Sequence, residues 1–261
     1  MDTRGDKGPT GLQLRTVYVT NPEYGISSNA RHLNFRSKGR LIGKLPLMQV
    51  RQIVVMEGVM ITCGALEECL AMDIPVTFLK RNGRLNGHLL GTRRHDATIR
   101  LAQYAIYSDP AKKLAVAGKF VDAKLSNTIA ILRKYMYNHK EASGFSALVD
   151  RIRGYRSKIN DAKTEDELRG IEGIVAKEYF DVFGDLIRKT FTFNGRNRQP
   201  PRDPVNALLS LGYTVIAQEA ASLLEACGLD SYVGFLHELK PGRPSLALDL
   251  IEPLRIAIID R

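Results

Sequence analysis

Cysteine is scarce in this chain of 261 residues, which holds only Cys63, Cys69 and Cys227. Their number is odd and their spacing pairs no thiolate ligands. Neither a disulfide framework nor a structural zinc site is expected, and the three read as reduced thiols. No apolar run approaches the ~20 residues that a membrane helix needs. The opening residues, Met-Asp-Thr-Arg-Gly-Asp-Lys-Gly-Pro-Thr-Gly, lack the apolar core of an export signal. Residues 1–11 therefore read as a flexible leader, and the chain as a cytoplasmic protein with no membrane partner. A phosphate-cradling Gly-rich loop of P-loop type, a nucleophile elbow and a Cys/His pairing are also missing. With these gone, an oxygen nucleophile activated by a metal is the simplest chemistry left.

Negative charge is in short supply as well. The formal net charge is +10, an excess that favours anionic partners, nucleic acid first among them. The excess is uneven. Residues 112–158 hold 11 Lys and Arg against 3 Asp and Glu, whereas residues 159–261 hold 12 against 16. A locally acidic last third within a basic protein suits a metal site served by a basic binding surface; an unevenly charged, solvated surface would give the same counts.

The hydrophobic pattern divides the chain in two. Leu12–Val19 alternates, with Leu12, Leu14 and Thr16 on one side against Gln13 and Arg15. Ile53–Met56 is an apolar run, Cys63–Met72 fits one short helix, and Pro75–Leu79 and Leu85–Leu90 flank Asn82-Gly83, a strong hairpin signal. From Thr98 on, the apolar spacing becomes three and four, which is helical. It predicts helices near 97–108, 111–138, 143–160, 165–190 and 204–227. Thr164-Glu-Asp-Glu167 has the capping-box pattern, and Asp203-Pro204 opens the last of these helices. The fold class is α+β: a small β-rich N-terminal domain over 12–92, then a larger all-helical domain over 93–261.

Three segments in the helical part can carry chemistry. Leu168, Glu172, Val175, Tyr179, Val182 and Leu186 share a helix face, and Glu172 interrupts it. A carboxylate there either reaches solvent at the stripe's edge or has a compensating partner: a metal, or an Arg or Lys. Gly170 and Gly173 beside it leave room for another backbone or a ligand. His237 ends the apolar run Gly234-Phe-Leu-His just before a loop, as a structural or a catalytic imidazole. Asp249 and Glu252 share a face if their segment is helical, and Pro253 argues for a kink or break directly after them. One imidazole with two or three carboxylates is a mixed N/O donor set that suits Mg²⁺ or Mn²⁺, ions that act on phosphodiesters. Arg188, Lys189, Arg196, Arg198 and Arg202 form an acid-free basic stretch, Arg243 lies between His237 and the carboxylates, and Asn206, Ser210 and Tyr213 line one helix face. All could meet a sugar–phosphate backbone, although a solvated loop and a core tyrosine would look the same.

Taken in order, Gly170-Ile-Glu-Gly with Ala176 and Tyr179, Pro204-Val-Asn-Ala-Leu-Leu-Ser210 with Tyr213, Gly228-Leu-Asp, Gly234-Phe-Leu-His237 and Ser245-Leu-Ala-Leu-Asp-Leu-Ile-Glu252-Pro-Leu-Arg255 resemble the CRISPR-associated integrase/endonuclease family, Cas1. Gly58-Val-Met-Ile-Thr62 and Pro75-Val-Thr-Phe78 also fit, so the resemblance runs from about Leu12 to the end. It implies a β domain followed by a helical catalytic domain, with Glu172, His237 and Glu252 as catalytic metal ligands for Mg²⁺ or Mn²⁺ and Asp249 as an accessory carboxylate. It implies insertion of foreign double-stranded DNA fragments into the repeat DNA of a CRISPR array, an antiviral function, by attack of a DNA 3′-hydroxyl. It also implies a homodimer working with a small ferredoxin-like partner. Two features depart from the family: Ile256 stands where many members have proline, and the chain ends at Asp260-Arg261 where the family usually continues, so the helical domain is expected to be incomplete. A metal nuclease that uses water, and a nucleic-acid binder without catalysis, are the competing functions. Loss of activity with a chelator separates the binder, and strand joining separates the nuclease.

Overall fold

The computed structural model describes residues 14–81, 85–91, 97–139, 145–187, 191–197 and 200–260. The leader, the Asn82-Gly83 turn and the domain boundary near Arg93 lie outside the described residues. Two compact units divide at residue 97, with residues 226–228 grouped with the first; among the described residues every strand lies in the first unit.

The first unit holds β1 (Arg15–Val19), β2 (Tyr24–Asn29), β3 (His32–Ser37), β4 (Arg40–Pro46), β5 (Val50–Met56), β6 (Met60–Ile61), α1 (Cys63–Ala71), β7 (Val76–Leu79) and β8 (Leu85–Leu89). They form two four-stranded sheets, in the orders β1-β5-β7-β8 and β4-β3-β2-β6. The predicted antiparallel pair of β7 and β8 is present, with Leu79 opposite Leu85. The predicted helix is α1, capped by the Thr62 hydroxyl, which accepts from Ala65 N at 3.3 Å. The alternation expected for β1 has the opposite phase beyond Arg15. Val19 is buried and Val17 packs on the core, while Tyr18 on the other face is 58% exposed. The pairing with β5 is irregular at the same place: Arg15 faces Val50 and Thr16 faces Gln52, so the extra residue, Arg51, lies on β5. The second sheet was not foreseen. Its two hairpins turn at Ala30-Arg31 and Lys38-Gly39, all four at positive φ, and three of these residues carry no turn signature.

The helical unit contains α2 (Ala97–Ser108), α3 (Pro110–Asn138), α4 (Ser146–Ser157), α5 (Glu165–Leu186), α6 (Pro204–Ala226) and α7 (Ser245–Ile258). The caps read from the sequence are in place. Thr164 Oγ1 accepts from Glu167 N at 3.3 Å, and Asp203 Oδ1 accepts from Asn206 N at 2.7 Å. α3 is the central rod and packs against α4, α5 and α7. Its buried row runs Ala117, Val121, Leu125, Ile129 and Leu132 and meets Leu168, Val175 and Tyr179 of α5 and Leu246, Ile251 and Ile256 of α7. Each such side chain contributes roughly 1.5–3 kcal/mol by leaving water. Pro253 does not break α7, which continues to Ile258. A proline inside a free helix costs roughly 3 kcal/mol; here the packed apolar face of α7 offsets it, and Asn127 Nδ2 of α3 donates to Pro253 O at 2.7 Å. By length and composition alone α6 is a helix that could cross a membrane. Asn206, Ser210, Tyr213 and Gln218 interrupt it, which is why no continuous apolar run marks it.

Candidate metal centre in the helical unit

The 228–244 segment has little regular structure, yet it is firmly held. Gln103 of α2 accepts from Asp230 N at 2.8 Å and donates to Asp230 O at 2.9 Å and Val233 O at 3.0 Å. Arg169 of α5 donates to Leu236 O at 2.7 Å. Leu246 N of α7 donates to Ser231 O at 2.9 Å. Three helices thus fix the backbone that delivers His237.

Asp249 completes that attachment. It is fully buried. Its Oδ2 accepts from Phe235 N at 2.6 Å and Leu236 N at 2.9 Å, and its Oδ1 from His237 N at 2.9 Å and His237 Nδ1 at 2.7 Å. A carboxylate so occupied is a bracket for the loop. Because Nδ1 donates to it, the imidazole presents the lone pair of Nε2 on its other side, the arrangement in which histidine binds metals. Gly234 lets the bracket close: a Cβ there would lie 2.7 Å from Ser245 C and 2.8 Å from Asp249 Oδ2.

His237 Nε2 stands 3.9 Å from Glu252 Oε1. Glu252, one helical turn beyond Asp249, is 3% exposed, and Lys124 Nζ lies 2.6 Å from its Oε2 and Arg255 Nη1 2.7 Å from its Oε1. Burial opposes ionisation of Glu252, but Lys124, Arg255 and His237 together outweigh it and hold the carboxyl below its ordinary range. The same Lys124 ammonium pairs with Glu172. So Glu172 and Glu252, from helices 80 residues apart in sequence, share one cation. Glu172 does have the compensating partner that its place in an apolar stripe demanded, and it is a lysine. Gly170 and Gly173 serve no close approach, since a Cβ at either would meet nothing within 4 Å.

Lys124 is the residue that sequence reasoning missed. It sits in the buried row of α3, flanked by Val121, Leu125 and Thr128. That is the signal Glu172 gives on α5, a charge at an apolar position. Among the described residues no three His, Cys, Asp or Glu side chains are gathered as an ion cage; the ammonium stands between the two carboxylates. The donor set still fits Mg²⁺ or Mn²⁺. Two carboxylates already share one positive charge, and an imidazole nitrogen stands 3.9 Å from one of them, a mixed N/O set.

The basic and polar residues expected at a nucleic-acid surface are placed differently from one another. Arg188, Lys189 and Arg198 lie outside the described residues. Arg202 is exposed and Arg243 half-buried. Arg196 is held by Asn206 Oδ1 at 2.8 Å and Ser210 Oγ at 3.2 Å and lies 5.4 Å from the centre of the Tyr213 ring. Asn206 is fully buried. Its oxygen accepts from Arg196 and Asn197 N, and its amide donates to Gly195 O and Asp203 Oδ2. It ties the 195–203 loop to α6 instead of facing solvent. Arg255 lies over the other part of the Tyr213 environment, 5.0 Å from the ring centre, and the Tyr213 hydroxyl donates to Asp260 Oδ1 at 2.5 Å. Burial pushes the Asp260 carboxyl up to about 6 against the pull of Tyr213, Lys124, Arg255 and Arg196.

A β-rich unit is followed by a helical unit in which Lys124 joins Glu172 to Glu252 and His237 Nε2 stands 3.9 Å from Glu252, the frame of a two-part α+β protein with an ionic centre among its helices. The family model for CRISPR associated protein Cas1 matches residues 17–261, and the chain belongs to that family. It is 38% identical over 258 residues to a CRISPR-associated endonuclease Cas1 of Rhodospirillum rubrum, covering 95% of this chain and 74% of that one. It is 38% identical over 252 residues to another from Thermus thermophilus, covering 96% and 73%. Among solved structures it resembles a Cas1 protein from Thermotoga maritima, with a TM-score of 0.77 and 25% identity over 95% of this chain and 77% of that one. It also resembles a casposase bound to integration product, with a TM-score of 0.75 and 26% identity over 95% and 71%.

Proposed function

We propose that this chain is a divalent-metal-dependent DNA endonuclease and integrase of CRISPR adaptation, which inserts foreign DNA fragments into the array by attack of a DNA 3′-hydroxyl. The observation that carries the reading is the Asp249–His237 pair, which turns the imidazole Nε2 toward Glu252 beside two carboxylates already bound to one cation. The names of relatives as endonucleases and the likeness to a casposase holding integration product support it. Glu172, His237 Nε2 and Glu252 are the ligands of Mg²⁺ or Mn²⁺, and Asp249 is the positioning residue for His237. When bound, the ion supplies Lewis acidity toward a phosphodiester and an attacking oxygen.

The chain's own side chains do the remaining work. Glu172 and His237 form the solvent-facing edge, with side chains 23% and 19% exposed, above the buried Glu252. A phosphodiester reaches the site across that edge. Arg255 holds Glu252 ionised and fixes its rotamer. Arg202 and Arg243 line the approach of the polyanion, and Arg196 and Tyr213 shape its wall; Arg188, Lys189 and Arg198, outside the described residues, are further candidate DNA contacts by their charge alone. In this reading the attacking oxygen is brought in on DNA and no protein side chain becomes covalently attached. Function as a homodimer with the ferredoxin-like Cas2, on double-stranded fragments and repeat DNA in the cytoplasm, belongs to the same proposal.

Exchange of one phosphodiester for another is nearly energy-neutral and therefore runs backwards. Given a branched DNA that mimics the product, the chain with Mn²⁺ is expected to release the flap and reseal the parent strand. His237→Ala is expected to abolish resealing while leaving most DNA binding, which the basic side chains supply. Resealing that survives both chelator and His237→Ala overturns the mechanism, and cutting without resealing makes the protein a hydrolytic nuclease.

A further inference from the structure

We propose that Lys124 is the resident counter-ion of this centre and that loading with a divalent cation is an exchange in which the metal expels the Lys124 ammonium from between Glu172 and Glu252. The inference rests on the reading of those carboxylates as metal ligands and concerns what holds the site before the metal arrives.

Three observations carry it. Lys124 is 5% exposed, in the midst of the apolar row that α3 presents to its neighbours. A lysine in such a place is costly unless its charge is paired. Its single Nζ is paired twice, with Glu172 of α5 and with Glu252 of α7, and these are the carboxylates through which a metal would have to enter. One point between two carboxylate oxygens cannot hold both an ammonium and a divalent ion. The two cations therefore compete for one place.

The charges give the exchange a consequence. With Lys124 in place, Glu172 and Glu252 balance Lys124 and Arg255, and the cluster is neutral. When a divalent ion replaces the ammonium, the cluster gains one positive charge at the edge open to a phosphodiester. The lysine thus lets the helical unit fold around two acidic side chains without metal, and it sets the metal's affinity by its own. It is a positioning residue and a competitor for the site.

The test is a titration of the chain with Mn²⁺, following the free ion by its paramagnetic resonance signal, together with melting in the presence of chelator. Lys124→Met is expected to melt several degrees lower without metal, because two carboxylates lose their shared cation. It is also expected to bind Mn²⁺ more tightly by on the order of tenfold, about 1.4 kcal/mol, since a charged hydrogen bond no longer has to be broken. Mn²⁺ affinity in Lys124→Met equal to or weaker than that of the original chain overturns the exchange. Glu172→Gln separates that failure from a failure of the ligand assignment: it is expected to abolish Mn²⁺ binding, and unchanged binding there removes the metal reading itself. Should Lys124→Met not fold, the unaltered chain decides. Modification of Lys124 by an amine-reactive ester, read by peptide mass spectrometry, is expected to speed up when Mn²⁺ is added. Equal or slower labelling overturns the proposal.

Discussion

The two ends of the centre bury acidic side chains in opposite ways. At the loop end, Asp249 is wholly enclosed, and its oxygens accept four hydrogen bonds from Phe235, Leu236 and His237. At the helix end, Glu172 and Glu252 are held by cations, with Lys124 between them and Arg255 beside Glu252. Hydrogen bonds from fixed backbone groups are directional and local, so a carboxylate that uses them all becomes part of the scaffold. An ion pair is less particular, and another cation can replace the first. Asp249 is thus a fixed post, whereas Glu172 and Glu252 are suited to trade partners.

Removing the post gives the largest effect. Asp249→Leu leaves three backbone N–H groups and an imidazole N–H buried without acceptors, and a loss of about 4 kcal/mol in chemical denaturation is expected. A loss below about 1 kcal/mol would mean the loop is held by its other attachments to Gln103, Arg169 and Leu246 N. Gly234→Ala attacks the same post from the other side, because its Cβ would lie 2.8 Å from Asp249 Oδ2. We expect about 2 kcal/mol of destabilisation and, since His237 moves with the loop, weaker Mn²⁺ binding.

The next effect depends on pH. In the folded chain Asp260 keeps its proton up to about 6, against an ordinary value of 3.8. Within that window the folded state binds the proton that the unfolded state has released, so this group's contribution to stability falls as pH rises. Asp260→Asn still accepts from Tyr213, and it is expected to gain about 2 kcal/mol on the original chain at neutral pH and nothing below pH 4. Glu252 has the opposite sign. Its carboxyl is depressed, so its contribution is present above the ordinary glutamate range and disappears as pH falls through the lower, folded value. A melting profile over pH in both chains separates the two. The smallest effect is Glu172→Gln, at the half-open edge: about 1 kcal/mol or less in stability, with metal binding lost. A loss as large as that of Asp249→Leu would erase the distinction between the two ends.

Much of this arrangement was legible in the chain. The switch from alternating to three–four spacing marked the passage from a β-rich to a helical part, and caps at Thr164 and Asp203 located the starts of α5 and α6. Glu172 was visible because a charge breaks an apolar stripe. Lys124 breaks α3 in the same way, yet it lies in a basic stretch where one more lysine is unremarked. The hairpins of the second sheet were hidden because Ala30, Arg31 and Lys38 take left-handed turn positions that usually go to Gly or Asn. Asp249 and Glu252 look alike along the helix; only tertiary hydrogen bonds, which no spacing encodes, make one a bracket and leave the other facing an imidazole. Asn206, polar on an apolar helix, likewise serves the fold of its own loop.

Anomalous scattering at the manganese edge from crystals soaked in Mn²⁺ tests the central claim most directly. The account predicts a single strong peak within ~2.0–2.3 Å of Glu172, Glu252 and His237 Nε2, with Lys124 Nζ withdrawn from between the carboxylates and Asp249 unmoved. A peak elsewhere, or a saturated crystal in which Lys124 still bridges Glu172 and Glu252, would contradict it.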